Sequence, residues 1–178
     1  MERALNGIRV RPASAGDLET VLDILGEAAS WTTARGFENW PARFSGNFIG
    51  RSISTGQVHV VEIGTRTVAT IGLHWDDPMI WGSMPPDGGY VHRLAVRTAE
   101  HGNGIGYALL DWSAEQVAAD GREWLRLDVT TDNLPLRRYY ERAGFSYVRD
   151  AHGELTMADG TERPWHTSLY QRRVIPPT

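Results

Sequence analysis

The sequence predicts an α/β fold with a mixed, mostly antiparallel central sheet flanked by helices. Three observations predict it. A strand-like stretch, "IRVRPA", runs directly into a capped amphipathic segment. Two β-branched runs, "QVHVVEI" and "TVATIGLHW", are broken by Gly64 and Thr65, the pattern of an antiparallel hairpin. In mid-chain a strand, a glycine-rich loop, an apolar helical run and a second strand follow one another, the order of a parallel crossover.

Taken in order, the first strand covers Ile8 to Arg11. Ser14 and Asp17 form an S-x-x-D cap that opens a helix with Leu18, Val21, Leu22 and Leu25 on one face. From Trp31 to Ser54 aromatic residues alternate with Gly and Pro, which reads as broken helices and loops. The hairpin follows, then a loop "DDPMIWGSMPPDGG" and a strand from Tyr90 to Val96. A helix from about Gly104 to Ala119 leads to the strand "EWLRLDV". Asn133 caps a further helix, with Pro135 in its first turn and Gly144 at its stop. Strands "FSYVR" and "WHTSLYQRR" complete the sheet.

The 178 residues suit a single domain, 1–178, with one sizeable core. Hydrophobic residues make up 41% and charged residues 22%, as in ordinary globular proteins, and the formal net charge of -4 argues against a general nucleic-acid binder. The acidic balance favours cationic small molecules. No apolar run reaches membrane-spanning length, and the first residues lack the apolar segment of a signal peptide, so the expected location is the cytoplasm, with no membrane partner. Cysteine is absent, which excludes disulfides, thiolate metal sites and an acyl-cysteine intermediate.

"AEHGNGIGYALLDW" places Gly102, Gly104 and Gly106 within five positions just before a helix. Each glycine costs roughly 0.5–1 kcal/mol relative to alanine, so the cluster needs a geometric reason. One reason is an anion cradle, in which bare N–H groups at a helix N-terminus attract phosphate. The other is a tight strand-to-helix turn. A dinucleotide site would place the glycines after a buried first strand with an acidic residue closing a later one; here they sit in mid-chain, and Asp120 precedes Gly121 in a turn. A P-loop needs Lys and Ser or Thr after its last glycine, where Tyr107 and Ala108 stand.

Reading outward, "YVHRLAVRTAEHGNGIGYALLDW" followed by "RLDVTTDNLPLRRYYERAGFSYV" resembles the GNAT family of N-acetyltransferases over roughly Tyr90 to Val148. The resemblance implies a GNAT-type sheet whose two parallel strands splay at an acyl-CoA site, acetyl-CoA as co-substrate, and no metal. The family's pyrophosphate loop is Arg or Gln, two residues, Gly, one residue, then Gly or Ala. His101, Gly104 and Gly106 occupy those positions, with His101 departing from the usual Arg or Gln. The loop's implied contacts are the backbone of Gly102, Gly104, Ile105 and Gly106; His101 can donate to phosphate or stand as a solvated loop residue. The same resemblance implies that the pantetheine arm pairs with the backbone of Leu94, Ala95 and Val96 like an added strand, and that Asn133, beyond capping its helix, reaches the CoA arm.

Transfer from a thioester to an amine needs a neutral amine, a stabilised oxyanion and a proton for the departing thiolate. Without cysteine the transfer is direct. "YYERAGF" matches the family motif whose tyrosine lies near the CoA sulfur, and that position is Tyr140. A phenol with an ordinary pKa near 10 keeps its proton at neutral pH and can serve as the acid; its alternative is core packing. Tyr139 lies about 100° around the helix and is assigned to packing. His92 is the candidate base, with an ordinary pKa of about 6.5, and "HRLAV" resembles the arylalkylamine branch, where a histidine here helps deprotonate the amine. Strand alternation puts Tyr90, His92, Leu94 and Val96 on one face and Arg93 on the other.

His59 and His74 fall on different strands without a close carboxylate or second histidine, so no metal site is expected. Asp76 and Asp77 can neutralise a cationic substrate or simply be solvated. Trp31, Trp40, Trp75 and Trp81 precede the CoA block, in the half where the family builds its acceptor pocket. They can line an amine pocket by cation-π contact or pack as core and lid. The implied function is acetyl transfer from acetyl-CoA to the primary amine of a small molecule. Alternatives are a protein or peptide N-acetyltransferase and a non-catalytic acyl-CoA-binding regulatory module; a homodimer stays open as the assembly.

Overall fold

In the computed structural model, which describes residues 3–5, 7–38, 40–156 and 160–174, the strands are β1 (Arg3–Leu5), β2 (Ile8–Pro12), β3 (Val58–Ile63), β4 (Arg66–His74), β5 (Gly88–Val96), β6 (Trp124–Thr130), β7 (Ser146–Thr156) and β8 (Glu162–Arg173). The helices are α1 (Leu18–Thr33), α2 (Gly46–Ser54), α3 (Pro78–Trp81), α4 (Ile105–Ala119) and α5 (Leu134–Arg142). The strands are hydrogen-bonded in the order β1-β2-β3-β4-β5-β6-β8-β7, mostly antiparallel with one parallel pair, β5 with β6. This is the mixed α/β fold that the sequence predicts. Among the described residues no helix is long and apolar enough to cross a membrane. Two compact units divide the chain: Met1–His74 with Val91–Trp112, and Trp75–Tyr90 with Ser113–Thr178.

In the first unit the apolar face of α1 buries Val21, Leu22, Ile24, Leu25 and Ala29, and the first four belong to one cluster with Ile49 and Ile53 of α2, Val58 and Val60 of β3, and Ala95 of β5. The 3.6-residue period of the predicted helix places these side chains together. The Ser14–Asp17 cap is present: the Asp17 carboxylate accepts from Ser14 N at 2.7 Å and Ser14 Oγ at 2.8 Å, and it also receives Arg11 at 2.8 Å. The Arg11 guanidinium holds the Asp17 carboxyl well below the usual range. The β3–β4 hairpin turns on Gly64, at φ +59°, and Thr65, with Ile63 facing Arg66. That left-handed position is the one where glycine carries no side-chain penalty.

In the second unit the opening of β5 lies inside the stretch that the sequence presents as loop. Gly88 and Gly89 pair in parallel with Trp124 and Leu125. A Cβ at Gly88 would collide with the Arg126 guanidinium and lie 3.1 Å from Trp124 O, so glycine here admits a neighbour rather than a turn. The same stretch contains the single turn α3, capped by Asp77, whose side chain accepts from Ile80 N at 3.4 Å. Strands β7 and β8 also extend past their predicted ends. Gly153, beyond the predicted strand, faces Trp165 across the hairpin, and the indole covers the space that a side chain would fill. Helix α5 begins as predicted: Asn133 Oδ1 accepts from Leu136 N at 3.2 Å, Pro135 sits in the first turn, and Gly144 takes φ +85° after the last turn.

Candidate active site

The glycine loop belongs to the first unit. Gly102 and Gly104 adopt φ +83° and +76°, and an added Cβ at either would meet no atom within 4 Å. Their requirement is therefore conformational, not one of protein packing. The left-handed backbone turns the chain into α4, whose first internal amide bond runs from Ala108 N to Gly104 O at 3.0 Å. The amides of Gly102, Gly104, Ile105 and Gly106 donate to no acceptor among the described residues. A helix N-terminus with open donors, approached through unhindered glycines, has the geometry to receive an anion as the sequence-derived cradle requires.

The approach to that cradle is anchored from α1. Glu27 accepts from Thr98 N at 2.6 Å and from Arg97 Nη1 at 3.1 Å. Burial alone would raise its carboxyl, but the hydrogen bonds from Thr98 and Arg97 outweigh burial and leave it lowered. His101 Nε2 lies 3.0 Å from Val96 O; a carbonyl only accepts, so the ring carries its proton on Nε2 and donates it back to the end of β5. His101 thus closes the loop onto the strand, and the Val96 carbonyl already receives one donor. The exposed His101 ring stands edge-on to Trp31 at 5.0 Å, and the Arg35 guanidinium covers Trp31 at 3.7 Å.

Strand β5 departs from simple alternation at Arg93, whose φ of +48° is the one positive value at a non-glycine among the described residues. Tyr90, Val91 and Ala95 are buried, while Leu94 and Val96 are half-buried, so the predicted single face of Tyr90, His92, Leu94 and Val96 is interrupted. A left-handed residue inserts a local reversal that shifts the parity of every side chain beyond it. His92 lies 4.4 Å from His74, ring to ring, which corrects the expectation that His74 has no second histidine nearby. The spacing arises because β4 brings Gly72 against His92: a Cβ on Gly72 would lie 3.0 Å from His92 O. Arg93 Nη2 reaches His74 Nε2 at 3.3 Å. Burial, then His74 and Arg93, pushes His92 down to about 3, so the ring is neutral across the physiological range. His59 instead faces Trp112 at 4.8 Å, and burial lowers it to about 4.

Tyr140 belongs to the second unit and is 8% exposed. Its ring meets Tyr139 at 5.4 Å and Phe145 at 5.9 Å, and its hydroxyl has no hydrogen-bond partner among the described residues. Burial, assisted by Tyr139 and Asp128, pushes the phenol well above its ordinary value. Asp128 is itself raised by burial, offset in part by Thr167 Oγ1 donating at 2.8 Å. Asn133 is buried, with its side-chain oxygen committed to the helix cap.

The four tryptophans do not form one cluster. Trp31 carries Arg35, Trp40 packs on Phe44 at 5.6 Å, exposed Trp75 lies under Arg122 at 4.8 Å, and buried Trp81 meets Tyr90 at 5.8 Å. Sequence reasoning missed Arg126, 2% exposed, which donates to Asp87 at 2.8 Å and Tyr90 Oη at 3.1 Å between the Trp81 and Tyr90 rings. An arginine inside the apolar strand "EWLRLDV" was the available signal, since an unpaired cation there is unfavourable. Asp76 is exposed, as a solvated loop acid is, while Asp77 serves as a helix cap.

A model of the acetyltransferase (GNAT) family matches residues 21–145 of the chain. A curated relative, the uncharacterized N-acetyltransferase YesJ of Bacillus subtilis (strain 168), is 29% identical over 162 residues, which cover 85% of this chain and 89% of that protein. A GNAT-family acetyltransferase from Listeria monocytogenes 4b F2365 shares the fold with a TM-score of 0.74 at 21% identity, covering 98% of this chain and 100% of that one. The paiA N-acetyltransferase of Thermoplasma acidophilum, solved in complex with coenzyme A, follows at TM-score 0.69 and 18% identity, covering 93% and 98%. The matched span holds both the glycine loop and the "YYERAGF" helix, and on that match the chain belongs to the GNAT family of N-acetyltransferases.

Proposed function

We propose that this enzyme transfers the acetyl group of acetyl-CoA directly to the primary amine of a small molecule. The observation that carries the reading is the set of open amides at Gly102, Gly104, Ile105 and Gly106, held by left-handed glycines at the start of α4. These donors suit the diphosphate of an acyl-CoA. The CoA complex of the paiA relative supports the same co-substrate. Backbone groups of Leu94 and Ala95, with the remaining lone pair of Val96 O, would take the pantetheine arm as an added strand.

In the transfer the amine nitrogen bonds to the thioester carbonyl carbon, the carbon–sulfur bond breaks, and the amine gives up one proton. Tyr140 holds its proton throughout the neutral range and has no competing partner, so it donates as charge develops on the sulfur. His92, neutral and lowered to about 3, is too weak a base to store the amine proton at pH 7. Its role is that of a hydrogen-bond acceptor that orients the neutral amine or the water carrying its proton away. The formal charge of -4 supports a cationic amine as acceptor.

The test is thiol release from acetyl-CoA, followed against a panel of small primary amines, free lysine side chains in peptides, and peptide N-termini. Turnover with small amines supports the reading. Turnover confined to peptides replaces the acceptor class, and CoA binding without thiol release under any acceptor points to a regulatory module.

A further inference from the structure

We propose that Arg35, laid flat on Trp31, is a phosphate-binding residue for the acyl-CoA co-substrate, an anion contact additional to the amides of the glycine loop. The proposal rests on the reading of that loop as the acyl-CoA site. Arg35 lies just beyond the end of α1, with its guanidinium carbon 3.7 Å from the Trp31 ring centroid and Nη1 donating to Trp31 O at 3.0 Å. Trp31 stands 5.0 Å from His101, the residue next to Gly102 in the loop. The stack therefore links a cation, through two successive contacts, to the residue that precedes the loop's first glycine.

Several other arginines of the same unit have carboxylate partners. Arg97 pairs with Glu27, Arg66 with Glu100, and Arg43 with Glu19. Arg35 pairs with no acid among the described residues, and its other contacts are the indole and one carbonyl. Of five guanidinium donors one is used, which leaves the rest available to a phosphate. Stacking on Trp31 pre-orders the side chain, so less rotamer freedom is lost on binding than for a free surface arginine. His101 fills the loop position that resembles the family's Arg or Gln, but its Nε2 is tied to Val96. Arg35 supplies the positive charge that the loop itself lacks.

Two phosphate groups of the co-substrate present this chemistry, the diphosphate and the 3′-phosphate. Calorimetric titration of wild type, Arg35→Ala and Arg35→Lys with CoA and with 3′-dephospho-CoA separates them. The expectation is that Arg35→Ala weakens CoA by about tenfold or more, with partial recovery in Arg35→Lys, the scale of one charge-assisted hydrogen bond. An equal loss for both ligands assigns the contact to the diphosphate, and a loss for CoA alone assigns it to the 3′-phosphate. Unchanged affinity for both ligands in Arg35→Ala overturns the proposal and leaves Arg35 as a cap on α1. Failure of the wild type to bind either ligand overturns instead the reading of the loop, and the proposal with it.

Discussion

Two histidines of the first unit are held neutral by burial, and one phenol of the second unit is held protonated by it. His59 Nδ1 and Trp112 Nε1 are buried and lack hydrogen-bond partners among the described residues, although the rings lie 4.8 Å apart. A buried acceptor without a donor costs about 1–3 kcal/mol, so His59→Phe is expected to raise the unfolding free energy by about 1 kcal/mol at pH 7, read from the denaturant midpoint. Tyr140→Phe removes only a hydroxyl. The expected result is a kcat for thiol release reduced about a hundredfold or more, with CoA affinity by calorimetry unchanged. Unchanged turnover would send the acid role elsewhere. His92→Asn is expected to leave the apparent pKa of the kcat/KM profile where the amine sets it, because a ring lowered to about 3 does not titrate in that range.

At the scale of the element, glycines act in two physically different ways. Gly104 has open space around it and φ +76°, so Gly104→Ala meets no neighbour and pays only in backbone conformation. About 1–2 kcal/mol of strain is relieved if the loop rotates, which turns the amides of Ile105 and Gly106 away from the cradle. The expected outcome is a small loss in thermal midpoint with a loss of CoA binding of tenfold or more. Gly88 is the reverse case: an alanine there presses on the Arg126 guanidinium and on Trp124 O. Because Arg126 is 2% exposed and tied to Asp87, it has no room to yield. Gly88→Ala is expected to destabilise the fold by about 2–4 kcal/mol through overpacking and disturbance of the buried charge, measured by chemical unfolding.

For the whole molecule, acid is the condition that separates these terms. His59 and His92 have folded values of about 4 and about 3, below an ordinary value near 6.5. Between those limits the unfolded chain binds more protons, so their contribution is complete above pH 6.5 and is lost as pH falls through the window. At pH 5 the loss is at most about 2 kcal/mol for each ring. Asp17 and Glu27, whose carboxyls are lowered, add a further loss below the ordinary carboxylate range, whereas Asp128, raised by burial, works in the opposite direction. The thermal midpoint is therefore expected to fall steadily from pH 7 to pH 4.5. His59→Phe should fall less steeply, opening a gap from wild type of about 2 kcal/mol more at pH 5 than at pH 7.

Much of the fold was legible because its signals are local. The Ser14–Asp17 cap, the Gly64–Thr65 hairpin, the Asn133 cap with Pro135 and the glycine loop each depend on residues within one or two turns of chain. Periodicity of 3.6 sufficed for α1, and the spacing of Gly102, Gly104 and Gly106 marked the turn into α4. What failed to show in the sequence depends on partners distant along the chain. Gly88 fell in a predicted loop and Gly153 beyond a predicted strand because their reasons, Arg126 and Trp165, arrive from other strands. The His74–His92 contact, the reversal at Arg93 and the Arg35–Trp31–His101 stack have no periodic signature. By itself the sequence determined the types of most elements, the family and the glycine-led entry into α4, since capping, glycine conformation and helical period act over a few residues. Only the tertiary structure decided which histidines are desolvated and that Arg35 stacks on Trp31 without an acid beside it among the described residues, because burial and ion pairing are set by whatever the fold brings alongside.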